Sequence, residues 1–358
     1  MKEATSVLVI NPGATSTKIA WFEGESEVFS ETLRHSDEEL DKFARVADQR
    51  SFRVSCVLDF LRKAGRPLSA VSAVAARGGL LPGLEGGTYL VDQAMVSYLE
   101  RAPRGEHASN LGAPIAWDLA REAGVSAYVT DPVSVDEMEP EARLSGYPPV
   151  ERVSLFHALN IRAVARRHAQ ILGREITDLD LVVCHLGTGI SLAALRGGRA
   201  VDVVNPRDEG PMAMDRAGSV PVVGLLKHMS REGIGPDAMV RDLFGRGGLF
   251  AYLGTRDLRE VERRMDAGDE LADLVFRALA YQVAKAVGAM ASVLSGRLDA
   301  LVFTGGMAHS ERFMTLLEQR VGFLGPVAVY PGEDEMRALA EGAVRVLEGR
   351  EEVRRLAV

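Results

Sequence analysis

The sequence predicts an α/β protein built from two related domains. Three observations predict it: a buried strand that runs into a polar glycine turn and returns as a strand, a second copy of that design far downstream, and long helical stretches around them. Its 358 residues suit two domains at roughly 100–200 residues each, enough to bury a core without covalent staples.

Taken in order, Val7-Leu-Val-Ile reads as a buried strand, Asn11-Pro-Gly-Ala-Thr-Ser-Thr17 as the turn and Lys18-Ile-Ala-Trp-Phe22 as the returning strand. Arg77-Gly-Gly-Leu-Leu-Pro-Gly-Leu-Glu-Gly-Gly87 is a glycine-rich loop of the kind that lines a cleft. Gly146-Tyr-Pro-Pro-Val150 is the candidate hinge, because two prolines bar both helix and central strand. His157 to Leu172 carries Ile161, Val164, Ala165, His168 and Ala169 at helical spacing. The design then repeats: Leu181-Val-Val-Cys is a strand, His185-Leu-Gly-Thr-Gly-Ile-Ser191 a glycine turn, and Leu192 to Leu195 the return. Asp273 to Leu294 is a long alanine-rich helix, Ala300-Leu-Val-Phe a strand running into Thr304-Gly-Gly-Met-Ala-His-Ser310, Glu311 to Val321 a helix, and Leu339 to Leu356 a charged terminal helix. The domains are expected at 1–150, with the C-terminal helix 336–358 packing back on it, and at 151–335.

Composition excludes several classes. A net charge of −8 argues against broad nucleic-acid or anionic-membrane binding, and 6% aromatics are too few for a base-stacking platform. Cys56 and Cys184 sit in apolar stretches and read as reduced, buried thiols, with no zinc-site spacing around them. Met1 to Ser6 lacks the features of a leader, and no stretch approaches the ~18–20 apolar residues of a membrane span. A cytoplasmic protein with no membrane and no nucleic-acid partner is expected.

Glycine turns at strand ends let backbone N–H groups converge on a phosphate without a Cβ in the way. Both turns open on a hydrogen-bonding side chain, Asn11 or His185, and reach a glycine two residues later, Gly13 or Gly187. Gly13-Ala-Thr-Ser-Thr-Lys18 lacks the Gly-Lys-Ser/Thr order of a P-loop, and no strand leads into a dinucleotide fingerprint. Any ATP is therefore held by paired hairpins.

Asn11-Pro-Gly-Ala-Thr-Ser-Thr-Lys-Ile-Ala20 resembles the first phosphate loop of the acetate and butyrate kinase family, His185-Leu-Gly-Thr-Gly-Ile-Ser191 its second, and Thr304-Gly-Gly-Met-Ala308 its adenosine segment. Glu106-His-Ala-Ser-Asn-Leu-Gly112, Asp131-Pro-Val-Ser-Val-Asp-Glu137, Phe156-His-Ala-Leu-Asn160 and Tyr330-Pro-Gly-Glu-Asp-Glu-Met336 look more like the butyrate kinase branch. The resemblance implies duplicated ribonuclease H-like domains of the actin-like ATPase superfamily, with an ATP cleft between them that closes over substrate and excludes water. It also implies transfer of the γ-phosphoryl group of ATP to a short-chain carboxylate with Mg²⁺, in a homodimer or higher homo-oligomer.

The same resemblance assigns roles. Asp131, Arg216 and His157 match the catalytic residues: Asp131 organising Mg²⁺ and the attacking carboxylate, Arg216 the transition-state arginine, His157 a histidine near the transferred group. No general base is needed, since a carboxylate nucleophile is already ionised. Asn11, Gly13, Thr15, Ser16, His185, Gly187, Thr188, Gly189, Gly305 and Gly306 match the ATP and phosphate segments. Asn11 with Asp334 or Glu335 matches the metal positions. Arg77, Phe156 and His107 are the substrate-side candidates. Helix-dipole complementation is the plainer role for the acidic run Glu333-Asp-Glu335.

Where acetate kinases carry a substrate arginine this chain has Val74, and Arg77 stands where they have a histidine, as in butyrate kinases. Arg77 is therefore expected to pair with the substrate carboxylate, with room for a longer acyl chain. Ala14 replaces a usual serine, Thr188 replaces a glycine and would be strained if that position needs a positive φ, and Asn205 to Met214 is unlike the usual loop. An acetate or propionate kinase is the alternative enzyme. An actin- or heat-shock-like ATP-driven binding protein is the alternative of another class, opposed by Arg216, Asp131 and the His157 motif.

Overall fold

The computed structural model describes residues 5–357. Residues 1–4, part of the stretch read as carrying no leader, and residue 358 lie outside the described residues. By its contacts the chain divides into two units, one holding the chain up to Asp136 together with Asp334 onward, the other Glu137–Glu333.

The first unit is built on a six-stranded sheet. Its strands are β1 (Ser6–Pro12), β2 (Ser16–Glu23), β3 (Ser26–Arg34), β4 (Ala73–Ala76), β5 (Thr88–Leu90) and β6 (Ser126–Thr130), in the order β3-β2-β1-β4-β6-β5. The second unit has β7 (Asp180–Leu186), β8 (Ile190–Arg196), β9 (Arg199–Val204), β10 (Ala300–Gly305) and β11 (Val327–Pro331), in the order β11-β10-β7-β8-β9. In both sheets an antiparallel three-strand meander is extended by two parallel strands on the side of its first strand. Both meanders also shift register between their second and third strands, at Trp21/Phe22 and at Ala194/Leu195. This shared order is the expected duplicated ribonuclease H-like fold.

The central strands are apolar on both faces because helices cover both. Val7 to Ile10 are completely buried, and the first core gathers Leu8, Ile10, Ile19, Trp21 and Val74 with Ile115 and Leu119 of the helix Gly112–Ala123. β3 is mostly exposed and carries Glu27, Glu31 and Arg34, which suits a sheet edge. In the second core, Val275, Phe276, Leu279, Val283 and Val287 of the helix Glu270–Val293 pack with Leu192, Leu301 and Phe303.

Three expectations need correction, on the membrane-span composition, the length of the terminal helix and the burial of Cys56. The helix Glu270–Val293 does have the length and composition of a membrane span; its apolar stripe is occupied by the second core. The terminal helix spans Glu335–Leu347 and packs on β1, β4 and β6, but does not continue to Leu356. Gly349 at φ +71° ends it, and the tail then bonds to β5 through Leu90 N–H to Arg354 O (2.9 Å) and Arg354 N–H to Thr88 O (2.9 Å). The contacts divide at Asp136/Glu137, where Glu137 accepts the Ala200 N–H (2.7 Å) and an Arg162 donor (3.1 Å), and the Gly146–Val150 segment lies within the second unit. Cys184 is buried, with its thiol pKa raised by desolvation, whereas Cys56 is only half-buried.

Candidate active site

Strand register decides which residues of the first unit stand together. Ile10 is level with Ala76 across the β1–β4 ladder, and Ala76 with Val129 across β4–β6. The residues just past those parallel strand ends are Asn11, Arg77 and Asp131, so chemistry scattered along the sequence converges at one sheet end. Glu335, in the first turn of the terminal helix, meets two of them. Asn11 Nδ2 donates to Glu335 Oε2 at 2.8 Å, and Arg77 Nη1 lies 2.5 and 2.7 Å from the two Glu335 oxygens.

This geometry separates the acidic residues that sequence could not. Asp334 caps its own helix, accepting the Arg337 N–H at 3.3 Å and pairing with the Arg337 side chain at 2.8 Å. Glu335 faces Asn11. The Glu335 carboxylate has oxygens of the kind Mg²⁺ takes, and Asn11 meets it through Nδ2, which leaves Asn11 Oδ1 as the second oxygen; Mg²⁺ keeps several waters and takes few protein ligands. Among the described residues no cluster of three or more His, Cys, Asp or Glu is placed to hold a metal.

Asp131 is completely buried and has a left-handed backbone, φ +40°. Its Oδ1 accepts the Gly87 N–H at 2.7 Å while its own N–H donates to Gly87 O at 3.0 Å. A non-glycine residue held there stores about 1–3 kcal/mol of strain, which the surrounding structure must offset. His107 is exposed; its Nδ1 accepts the Ser109 N–H (3.2 Å) and lies 2.7 Å from Ser109 Oγ. Crowding by protein, and then the charge of Arg77, hold its pKa below the usual histidine value, so the ring is neutral at pH 7. In the first turn, Gly13 N–H closes on Ser16 O (2.8 Å) and Thr15 O accepts the His35 N–H (2.9 Å). Lys18 is exposed.

The second unit repeats the arrangement. His185 is level with Thr304 across β7–β10, which brings the Gly187–Gly189 turn and Gly305–Gly306 to one sheet end. His185 is buried and gripped on both nitrogens, Nδ1 at 2.8 Å from Asn160 Oδ1 and Nε2 at 3.2 Å from Glu333. The His157 ring stacks on it with centroids 3.9 Å apart, held by its Nδ1 at 2.7 Å from Ser191 Oγ. Gly187 is required: a Cβ there would lie 2.6 Å from His185 Nε2. Phe156 is buried yet belongs to neither core cluster.

Arg216 lies flat against the second turn. A Cβ on Gly189 would sit 2.1 Å from its Nη1, and its guanidinium stands 4.4 Å from the centre of the Phe244 ring. Burial lowers its pKa, with Asp215 opposing, but an arginine stays cationic. Its Nε is buried without a hydrogen-bond partner, an unspent donor that fits an anionic ligand. The strain foreseen at Thr188 does not arise: among the described residues the non-glycine positive-φ positions are Ala102, Asp131 and Ser295. Beside this turn opens a depression of about 850 Å³, lined by Gly187, Thr188, Arg256, Gly306, Met307 and Glu333 among others, a volume that accommodates a nucleoside polyphosphate.

The sequence did not reveal Asn160 and Ser191, which orient the histidines, although both lie inside recognised motifs. Glu333 stood in the acidic run without its histidine partner being apparent. Nor did anything mark Arg53, a buried arginine in the helix Arg50–Lys63 that grips the first turn.

Comparison with known proteins places the fold and the family. The acetokinase family model matches residues 151–334, just over half of the chain. The acetate kinase of Porphyromonas gingivalis superposes with a TM-score of 0.82 at 21% identity, covering 96% of this chain and 100% of that one. A propionate kinase from Francisella tularensis gives 0.76 at 18%, covering 94% and 98%, and a ROK family protein from Streptococcus pneumoniae 0.52 at 12%, covering 97% and 100%. With two ribonuclease H-like domains of the actin-like ATPase fold and a family match spanning its second unit, the chain belongs to the acetokinase family, whose members are carboxylate phosphotransferases.

Proposed function

We propose that the protein is a cytoplasmic butyrate kinase, converting ATP and butanoate, or a branched short-chain acid, into ADP and the acyl phosphate. The observation that carries the acyl preference is the placement of one cation. Val74 is completely buried in β4 among apolar neighbours, where an arginine would be a buried charge, while Arg77 stands at the end of that strand beside Glu335. The substrate carboxylate would take the remaining donors of Arg77, with His107 as a neutral neighbour and Phe156 as the wall for the acyl chain. Its oxygen attacks the γ-phosphorus as the bond to the ADP oxygen breaks, and no proton moves.

The chain's part is positioning and electrostatics. The first unit carries the Gly13–Ser16 turn, Asp131 and the Asn11–Glu335 pair; the second carries Arg216, His157, His185 and the glycine turns at its own sheet end. Asn11 and Glu335 would hold Mg²⁺, which when bound offsets charge on the β- and γ-phosphates. A homodimer or higher homo-oligomer is part of the proposal. The helix Val222–Glu232 supports it, since none of its residues is buried and Val222, Val223 and Leu226 are 66%, 66% and 58% exposed.

ATP-dependent hydroxamate formation with acetate, propionate, butyrate, isobutyrate and valerate tests the reading. Activity is expected to peak at four carbons and to fall softly, since one methylene in an apolar pocket is worth about 1–3 kcal/mol. A peak at acetate or propionate, the substrates named for two of the structural neighbours, would assign the enzyme to that branch instead. Arg77→Ala is expected to raise the butyrate KM at least about tenfold, as loss of a charge-assisted contact does; an unchanged KM and turnover would remove Arg77 from the substrate site. The metal assignment has its own test. Glu335→Gln should raise the Mg²⁺ concentration for half-maximal rate by about 10-fold or more, while Asp334→Asn, still able to cap, should leave it unmoved. The reverse pattern would transfer the metal to Asp334.

A further inference from the structure

Arg53 is fully buried, and every polar contact of its guanidinium goes to a neutral oxygen. Nη1 donates to Gly13 O (2.9 Å), Ser16 O (2.7 Å) and Thr17 Oγ1 (3.1 Å). Nη2 donates to Ala14 O (2.9 Å), and both Nη2 and Nε reach Gln49 Oε1, at 2.8 and 3.1 Å. Burial lowers its pKa and no carboxylate opposes that, yet an arginine keeps its proton. A buried cation with no acid beside it is an expensive feature to retain. What it accomplishes here is to gather three carbonyls of one turn onto a single rigid fork.

The consequence lies on the other side of each peptide plane. In a trans peptide the C=O and the next residue's N–H point in opposite directions, and the described residues contain no cis bond. The carbonyls of Gly13 and Ala14 turned toward Arg53 therefore aim the N–H groups of Ala14 and Thr15 away from it. Both residues are exposed, and among the described residues neither N–H has an acceptor. Two outward N–H groups backed by a fixed positive charge form an anion-binding nest. Because the donors are backbone groups, Ala14 in place of serine leaves the nest intact.

We propose that Arg53 is the positioning residue of the first phosphate turn, holding the Ala14 and Thr15 N–H groups outward to receive the terminal phosphoryl group of a nucleoside triphosphate. This rests on the kinase reading above and adds a residue outside its matched motifs. Arg53 acts through the turn and does not itself touch substrate. Lysine at this position keeps the charge but cannot span three carbonyls and Gln49, and methionine keeps neither.

The test is calorimetric binding of MgADP and of the magnesium complex of a non-hydrolysable β,γ-imido ATP analogue to the full chain and to Arg53→Met and Arg53→Lys. Arg53→Met should bind MgADP within about twofold of wild type, which also shows that it folds, yet lose at least about tenfold in affinity for the analogue. Its kcat should fall about 10²-fold, with Arg53→Lys between the two and millimolar guanidinium restoring part of the rate to Arg53→Ala. If the analogue-to-ADP affinity ratio stays at the wild-type value, or both affinities fall together, Arg53 is only structural and the proposal is overturned. A collapsed ratio in a chain that phosphorylates no carboxylate would overturn the substrate assignment and leave Arg53 in its role.

Discussion

Arg216→Lys is expected to lower kcat about 10³–10⁵-fold with little change in the KM for ATP, the magnitude associated with a transition-state arginine. The reason is geometric as much as electrostatic. The guanidinium lies on Gly189 and over the Phe244 ring, and its Nε is buried with no acceptor. A lysine ammonium keeps a positive charge but cannot lie flat in that slot or present a fork of donors to equatorial phosphoryl oxygens. The depression lined by Gly306 and Met307, the proposed nucleotide site, is untouched, so ground-state binding should persist. Gly189→Ala should act in the same direction, because its Cβ would fall 2.1 Å from Arg216 Nη1. Single-turnover measurement at saturating ATP reads the chemical step directly, and a rate within tenfold of wild type would remove Arg216 from the transition state.

Asp131→Asn is expected to lower kcat by about 10²–10³-fold while leaving the fold in place, the scale seen when one preorganised electrostatic group is lost. Asparagine suits this position because it tolerates the left-handed backbone and its Oδ1 can still accept the Gly87 N–H. Only the negative charge is withdrawn. Asp131→Ala should add an unfolding penalty of about 1–3 kcal/mol, since alanine at φ +40° keeps the strain and loses the hydrogen bond. Thermal melts beside kcat separate the two effects. An asparagine variant with wild-type turnover would make Asp131 a structural turn residue.

Much of the fold was legible because its signals are local. Apolar runs of strand length ending in Asn-Pro-Gly or Leu-Gly-Thr-Gly leave few alternatives, and the helix Glu311–Val321 is bounded where its periodicity begins and ends. The terminal helix was overextended because the polar tail after Gly349 has a helix-like composition, and only its pairing with β5 removes it. Prolines mark where regular structure stops, whereas the division between the two units follows where contacts stop. The hydropathy of Glu270–Val293 likewise reflects a core alanine-rich helix.

The candidate site was legible residue by residue but not in its pairings. Glu333, Asp334 and Glu335 are one acidic run in the sequence, yet their carboxylates serve His185, the helix cap and the Asn11–Arg77 pair respectively. Adjacent residues entering a helix point in different directions, and a pattern of letters carries no information about which distant partner lies along each. Arg53 was invisible for a related reason. An arginine in a helix of mixed polarity reads as a solvated cation until burial is known.

By itself the sequence determined the class of protein: two α/β domains, glycine turns at strand ends, and a short set of Asn, Asp, His and Arg residues whose motifs match one kinase family. Those properties follow from chain stiffness, hydrophobic periodicity and turn chemistry, which act over a few residues. The tertiary structure decided which carboxylate of the acidic run faces Asn11, why Thr188 is unstrained, how the two histidines stack, and that a buried Arg53 grips the first turn. Those depend on register between distant strands and on what each side chain displaces from water, quantities that exist only once the chain has folded.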